Sequence, residues 1–287
     1  MKTIVGTTIK MSTRRALIRY IDNRITIVRD LSEEEYQSFR SSRNVISDHI
    51  SIEGLFRLVD DNYGELCETS RAWIESYAAN SIHSRISAEG LTNLMNRRLL
   101  NLLSSARTFL DHTSHRLVEI HGKGSELPDS FGKLRREAFD RTFSYRLMEK
   151  LRNFAQHRGF PLRCSITRIG NQDDSVRQVS LKLTFHRDEL LADKDGWGSV
   201  RQDLAAQPPE FEASPHIWTY VKELGTIYES IARMDTRFRP ATEILRSLLK
   251  SPGSADFMRV ATIDGLLNTD EVQLHFEDVA EHMITLT

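Results

Sequence analysis

The sequence is poor in residues that staple a fold or hold a metal. Only Cys67 and Cys164 occur in 287 residues, far apart and without a CxxC pairing. Neither a disulfide framework nor a zinc knuckle is indicated, and a reducing cytoplasm is the expected setting. Long apolar runs are missing too; nothing approaches the roughly 20 residues that a membrane helix needs. The opening MKTIVGTTIKMSTRR has a weak apolar patch broken by Gly6 and threonines, and makes a poor signal peptide. There is no Gly-rich phosphate loop, no G-x-S-x-G elbow and no H-E-x-x-H pair, so no cofactor or metal is expected. Nor is one sign of charge in excess. A net charge of −1 argues against a surface coated for nonspecific nucleic-acid binding.

What is present is the balance of an ordinary globular protein, 39% hydrophobic and 28% charged, with enough apolar residues for a real core. Charge is unevenly spread. Between Phe131 and Arg168 ten basic residues face three acids: Lys133, Arg135, Arg136, Arg141, Arg146, Lys150, Arg152, Arg158, Arg163 and Arg168 against Glu137, Asp140 and Glu149. Such a stripe on a neutral protein can focus a polyanion onto one face; it can equally be a solvated helix surface with salt-bridge partners elsewhere.

Periodicity divides the chain into five segments. Residues 1–50 read as a β-hairpin turning at Asp22-Asn23, followed by a helix that starts at Ser32 with Glu35 at capping-box spacing. The polar run Ser41–Ser47 is expected to fray or break that helix. Residues 51–160 form an antiparallel helical bundle. One apolar stripe runs through Leu55, Phe56, Leu58, Val59, Tyr63 and Leu66, and a second runs from Leu91 to Ile120. HGKGSELPDS (121–130) reads as a loop, and a third long helix should carry Leu134, Phe139, Phe143, Leu147, Leu151 and Phe154 inward until Gly159 and Pro161 stop it. Residues 161–195 contain a β-hairpin, LRCSITRI with RQVSLKLTFH. Residues 196–250 form a helical extension in which QPPEFEASP serves as a linker. Residues 251–287 form a β-rich tail whose strands can join the N-terminal ones. No internal repeat is visible. The fold class is therefore mainly α, with β-hairpin appendages and short terminal strands.

The third long helix ends L-R-N-F-A-Q-H-R-G-F-P (151–161). Arg152, Asn153 and His157 in this arrangement resemble the signature of HEPN domains, in particular the R-N-x-x-x-H type found in helical proteins of abortive-infection and toxin systems. The resemblance covers roughly residues 51–160. Three other Arg-to-His spacings occur, Arg43 to His49, Arg107 to His112 and Arg116 to His121. Only Arg152 combines the following Asn, a strong preceding helix and a Gly/Pro stop.

The residue types suit RNA cleavage on their own chemistry. A histidine can take a proton from a ribose 2′-hydroxyl or give one to the leaving 5′-oxygen. Arg152 stays charged and can fork onto phosphate oxygens as negative charge builds. Asn153 can hold the imidazole, a phosphate oxygen or a partner's backbone. Arg152 and His157 are five residues apart, about 140° on a regular helix, so convergence within one chain demands a local distortion at the helix end. The resemblance implies a metal-independent RNA endonuclease of a toxin, antiviral-defence or stress module, acting as a homodimer in which two motifs face each other, with RNA and an antitoxin or defence-system protein as partners. The competing reading is a noncatalytic HEPN-type module that binds a partner protein or nucleotide. A helix-terminal His or Arg commonly serves only to complement the helix dipole.

Arg146, Arg158 and Phe160 are further candidates for substrate positioning. Asp111 or Glu119, on the preceding long helix, could orient His157. His112 and His115 share a helix face at metal-ligand spacing but lack the usual companions, and are more readily surface histidines. Of the aromatics that could stack on bases (Trp73, Trp197, Trp218, Tyr145, Phe160), Trp73 is expected in the core, as is Phe143. Phe160, just beyond the motif and before a proline, is the one to test for base contact.

Overall fold

The computed structural model describes residues 11–21, 24–78, 88–169, 178–250, 258–266 and 272–277. It is mainly helical with two small antiparallel sheets. The chain forms two compact units. One comprises residues 1–50 and 235–287, the other residues 51–234. The stretch 196–250, expected as one extension, is thus divided between them.

In the first unit, β1 (Met11–Ile21) and β2 (Arg24–Asp30) pair antiparallel. The turn expected at 22–23 lies outside the described residues. β6 (Arg259–Leu266) pairs with β1 and β7 (Val272–Glu277) with β6, giving the order β2-β1-β6-β7. The long helix α1 (Glu33–Ala78) begins here. Its capping box is closed in both directions. Ser32 Oγ accepts from the Glu35 N–H at 3.1 Å, and Glu35 Oε2 accepts from the Ser32 N–H at 2.9 Å. The Arg29 side chain and the Ser32 N–H together hold the Glu35 carboxyl down to about 2.

The break expected at Ser41–Ser47 does not occur; α1 runs through it without interruption. Ser42 and Ile46 are buried there, extending the stripe of Tyr36 and Phe39. The core of this unit gathers Tyr36, Phe39 and Ile46 with Leu17 and Val260 from the sheet and Leu245 and Leu249 from α8 (Phe238–Leu249).

In the second unit, α2 (Ala88–His121) buries Leu91, Met95, Leu99, Leu102, Ala106, Phe109, Leu110 and Leu117 on one stripe. Each of these leucine, methionine and phenylalanine side chains contributes about 1.5–3 kcal/mol when removed from water. Gly122, at φ 86°, ends α2 in the left-handed conformation that glycine adopts without penalty. The loop after it is shorter than expected, because α3 (Glu126–Arg141) already starts within ELPDS.

The third long helix of the sequence reading is in fact two. Thr142 takes an extended conformation (φ −123°, ψ 129°), ends α3, and accepts the Tyr145 N–H as N-cap of α4 (Phe143–His157). β3 (Leu162–Ile169) and β4 (Gln178–His186) form the expected hairpin. The proline-rich linker is more ordered than its composition implies. It supplies β5 (Glu210–Glu212), which pairs with β4, and Ser214 opens α7 (Ser214–Met234). Two short helices, α5 (Arg187–Leu191) and α6 (Arg201–Ala205), flank a 3-10 turn at Gly198–Val200. One core joins these elements, built on α1, α2, α3, α4 and α7. Leu58, expected inward, is 48% exposed.

Candidate functional site

α4 packs Leu147, Met148, Leu151 and Phe154 inward. These positions recur at three and four residues and fix which side of the helix faces out. Asn153 and His157, four residues apart, therefore share the outer face, and both are exposed. Arg152 sits at the flank, half-buried. Its Nε is enclosed without an acceptor, and no carboxylate pairs with its guanidinium among the described residues. His157 likewise has no hydrogen-bond or ion-pair partner among the described residues.

The helix is regular to its end. It remains α-helical through His157, and the Arg158 N–H donates to the Phe154 carbonyl at 2.8 Å. The distortion that would swing Arg152 towards His157 is absent from this chain, and the two stay about 140° apart around the axis.

The surrounding cations sort into two groups. Lys133 pairs with Glu137, Arg141 with Glu223, Arg146 with Asp203, Arg158 with Asp193 and Arg163 with Glu189. Arg135, Arg136, Lys150 and Arg152 have no carboxylate partner among the described residues. Five of the ten basic residues are thus neutralised within the fold, and the four without a carboxylate partner lie on α3 and α4.

This sorting corrects one candidate. Arg146 is consumed by structure: it donates to Asp203 at 2.9 Å and to the carbonyls of Phe139 and Asp140 at 2.8 and 2.9 Å. Those carbonyls lie in the last turn of α3, so Arg146 fastens the α3–α4 corner rather than meeting a substrate. Arg158 donates to the buried carboxylate of Asp193 at 3.1 Å, with its own side chain 57% exposed. Phe160 is 50% exposed just past the motif. Of the other aromatics, Trp197 and Tyr145 are buried, Trp73 is half-buried against the core and stacked on Tyr77, and Trp218 is exposed beneath Lys222. Phe143 packs on the core and meets the His216 ring.

Asp111 and Glu119 do not orient His157. Asp111 accepts from Arg107 at 2.6 Å, and Glu119 lies 3.4 Å from His115. Register explains why. Asn96 binds the backbone of Leu162, whereas Arg107 lies 3.9 Å from Glu149, so α2 and α4 run antiparallel. Asp111 therefore stands level with the Glu149 end of α4, about 12 Å or more along the axis from His157, and Glu119 lies farther still. His112 and His115 are both exposed, and no group of three metal-ligating side chains converges among the described residues.

Two features escaped sequence reasoning. Asn96 is fully buried and fixes the strand that leaves the motif. Tyr145 is buried with a hydroxyl that makes no well-aligned hydrogen bond among the described residues, and it lines a cavity of about 380 Å³ with Arg135 and Arg136. The adjacent Arg135-Arg136 pair within the basic stretch was the only sign of that cavity in the sequence. No helix among the described residues is long and apolar enough to cross a membrane. The chain matches no protein-family model, no curated protein and no solved structure.

Proposed function

We propose that this protein is a metal-independent RNA endonuclease of HEPN type, acting as a homodimer in a toxin, phage-defence or stress module. The observation that carries the reading is the end of α4: an arginine without a carboxylate partner and an exposed histidine without a polar partner among the described residues, whereas Arg146 and Arg158 on the same segment are paired.

In this scheme the guanidinium of Arg152 binds non-bridging phosphate oxygens and stabilises the charge of the pentacoordinate phosphorus. One His157 imidazole takes the 2′-hydroxyl proton as the 2′-oxygen bonds to phosphorus. The P–O5′ bond breaks, and a protonated His157 from a second copy gives its proton to the 5′-oxygen. The products are a 2′,3′-cyclic phosphate and a 5′-hydroxyl. Two copies are needed because Arg152 and His157 diverge on one undistorted helix and each chain brings a single imidazole to the site. Asn153 shares the His157 face and positions the phosphate, and Phe160 offers an open ring to a flanking base.

The test is RNA cleavage in EDTA with analysis of the product ends. Wild type should leave cyclic phosphates, while Arg152→Ala and His157→Ala should keep the wild-type melting temperature and lose activity. Cleavage that survives both substitutions overturns the reading. The same 140° divergence favours a second reading, a HEPN-type interaction module that binds a partner protein or nucleotide without cutting. A protein that cleaves nothing but forms a defined hetero-complex supports it.

A further inference from the structure

The cavity beside Tyr145 lies between α3 and the first half of α4, away from His157. Its volume of about 380 Å³ falls within the range of small-molecule sites. Arg135 and Arg136 line it, and neither has a carboxylate partner among the described residues. The Tyr145 hydroxyl is enclosed, and burial together with the Glu149 carboxylate pushes the phenol up, so it stays a neutral donor. Arg135 lies close to the Tyr145 hydroxyl and 5.7 Å from the centroid of the Phe131 ring, which leaves Arg136 as the least engaged of the three donors that border the cavity.

Two carboxylates share the lining, and they behave differently. Glu149 accepts from the Tyr220 hydroxyl at 2.5 Å and lies 3.9 Å from the Arg107 guanidinium, so its charge is met inside the fold. Asp140 is exposed and has no cation partner among the described residues. A simple anion would be repelled by Asp140. A ligand that joins an anionic group to a hydroxyl or amino donor would use both ends of the cavity, and the half-buried Phe139 ring supplies an apolar wall.

We propose that this cavity binds a nucleotide, with its phosphate on Arg135, Arg136 and Tyr145 and a ribose hydroxyl or base amino group on Asp140. Tyr145, Glu149, Arg152 and Gln156 are spaced four, three and four residues apart, so they lie on one stripe of α4. Tyr145 and Arg152 are about 10 Å apart along the axis. A strand whose scissile phosphate sits at Arg152 therefore passes the cavity with a neighbouring nucleotide. That the nucleotide belongs to an RNA strand rests on the function proposed above; the phosphate-and-donor chemistry of the cavity does not.

Calorimetric titration of the full-length protein with inorganic phosphate, AMP and GMP tests the site, since none of these can be cleaved. AMP or GMP should bind, and inorganic phosphate should bind more weakly. Arg136→Ala, at an exposed position, and the double variant Arg135→Ala/Arg136→Ala should each weaken nucleotide binding, the double variant about tenfold or more. Asp140→Ala should weaken nucleotide binding without weakening phosphate binding. Melting temperatures equal to wild type exclude misfolding, and Arg136→Ala keeps the test alive if the double variant does not fold. Absence of nucleotide binding, or binding unchanged in the Arg136→Ala variant, overturns the site.

The two readings fail separately. Nucleotide binding that depends on Arg136 in a protein that cuts no RNA retains the cavity and removes the nuclease. RNA cleavage with KM and kcat unaltered by Arg135→Ala/Arg136→Ala does the reverse.

Discussion

The side-chain amide of Asn96 brackets the backbone of Leu162: it donates to the carbonyl oxygen at 3.0 Å and accepts from the N–H at 3.0 Å. Asn96 and Leu162 are both fully buried. Leu162 is the first residue of β3, five positions beyond His157, so this bracket sets where the chain goes on leaving the candidate site. Asn96→Leu would leave a buried N–H and a buried carbonyl without partners, at a cost of about 2–4 kcal/mol. Urea unfolding should show it as a lower midpoint with an unchanged slope. A variant as stable as wild type would mean that water or a shifted backbone satisfies both groups.

Requiring one imidazole from each of two copies makes the His157→Ala chain a dominant inhibitor. In a ninefold excess of that variant, few wild-type chains find a wild-type partner. Activity per wild-type chain should fall about tenfold once subunits have exchanged. Cleavage assays after co-incubation check this, and activity that merely tracks the wild-type concentration would mean that one chain suffices.

Gly196 approaches the carboxylate that holds Arg158. A Cβ placed there would overlap Asp193 Oδ2, and the Asp193 side chain is only 9% exposed. Gly196→Ala should destabilise the protein by about 1–3 kcal/mol through this overlap. The penalty should shrink in an Asp193→Ala background, where the clashing group is gone. A double-mutant cycle by thermal unfolding gives the coupling, and a value of zero would place the strain elsewhere.

Burial lowers the basicity of His216, which lies 2.8 Å from the Ser144 hydroxyl between the rings of Phe143 and Phe211. Its folded pKa lies below the ordinary value of 6.5. The unfolded chain therefore binds more protons as pH drops below 6.5, and stability falls with it. Above 6.5 both states are neutral at this position and the contribution is flat. Melting temperature should decline from pH 7.5 to 5.5, and His216→Gln, which cannot ionise, should remove part of that decline. An identical profile for the variant would assign the acid sensitivity to other groups.

What could be read in the sequence was local. Ser32 and Glu35 announce their helix start because both halves of a capping box lie within four residues. The motif on α4 is equally compact, which is why Arg152, Asn153 and His157 could be singled out and placed on one helix end. The split at Thr142 was hidden because the apolar period continues across it from Phe139 to Phe143 and Leu147. A single extended residue breaks a helix without breaking the pattern.

Long-range pairing was opaque for a different reason. Arg146 and Asp203 are 57 residues apart, and nothing in the spacing of either says that they meet. Arg146 consequently looked as free as Arg152. The antiparallel register of α2 and α4, which carries Asp111 away from His157, is likewise a property of packing rather than of any one helix.

The order β2-β1-β6-β7 also has a temporal meaning. Ala16 of β1 faces Ala261 of β6, about 245 residues later in the chain. During synthesis at about 5–20 residues per second, the β1–β2 hairpin waits about 12–50 s for its missing neighbour. Residues 51–234, by contrast, form a unit that precedes β6 in the chain. The unit that carries Arg152 and His157 can thus mature before the four-stranded sheet closes.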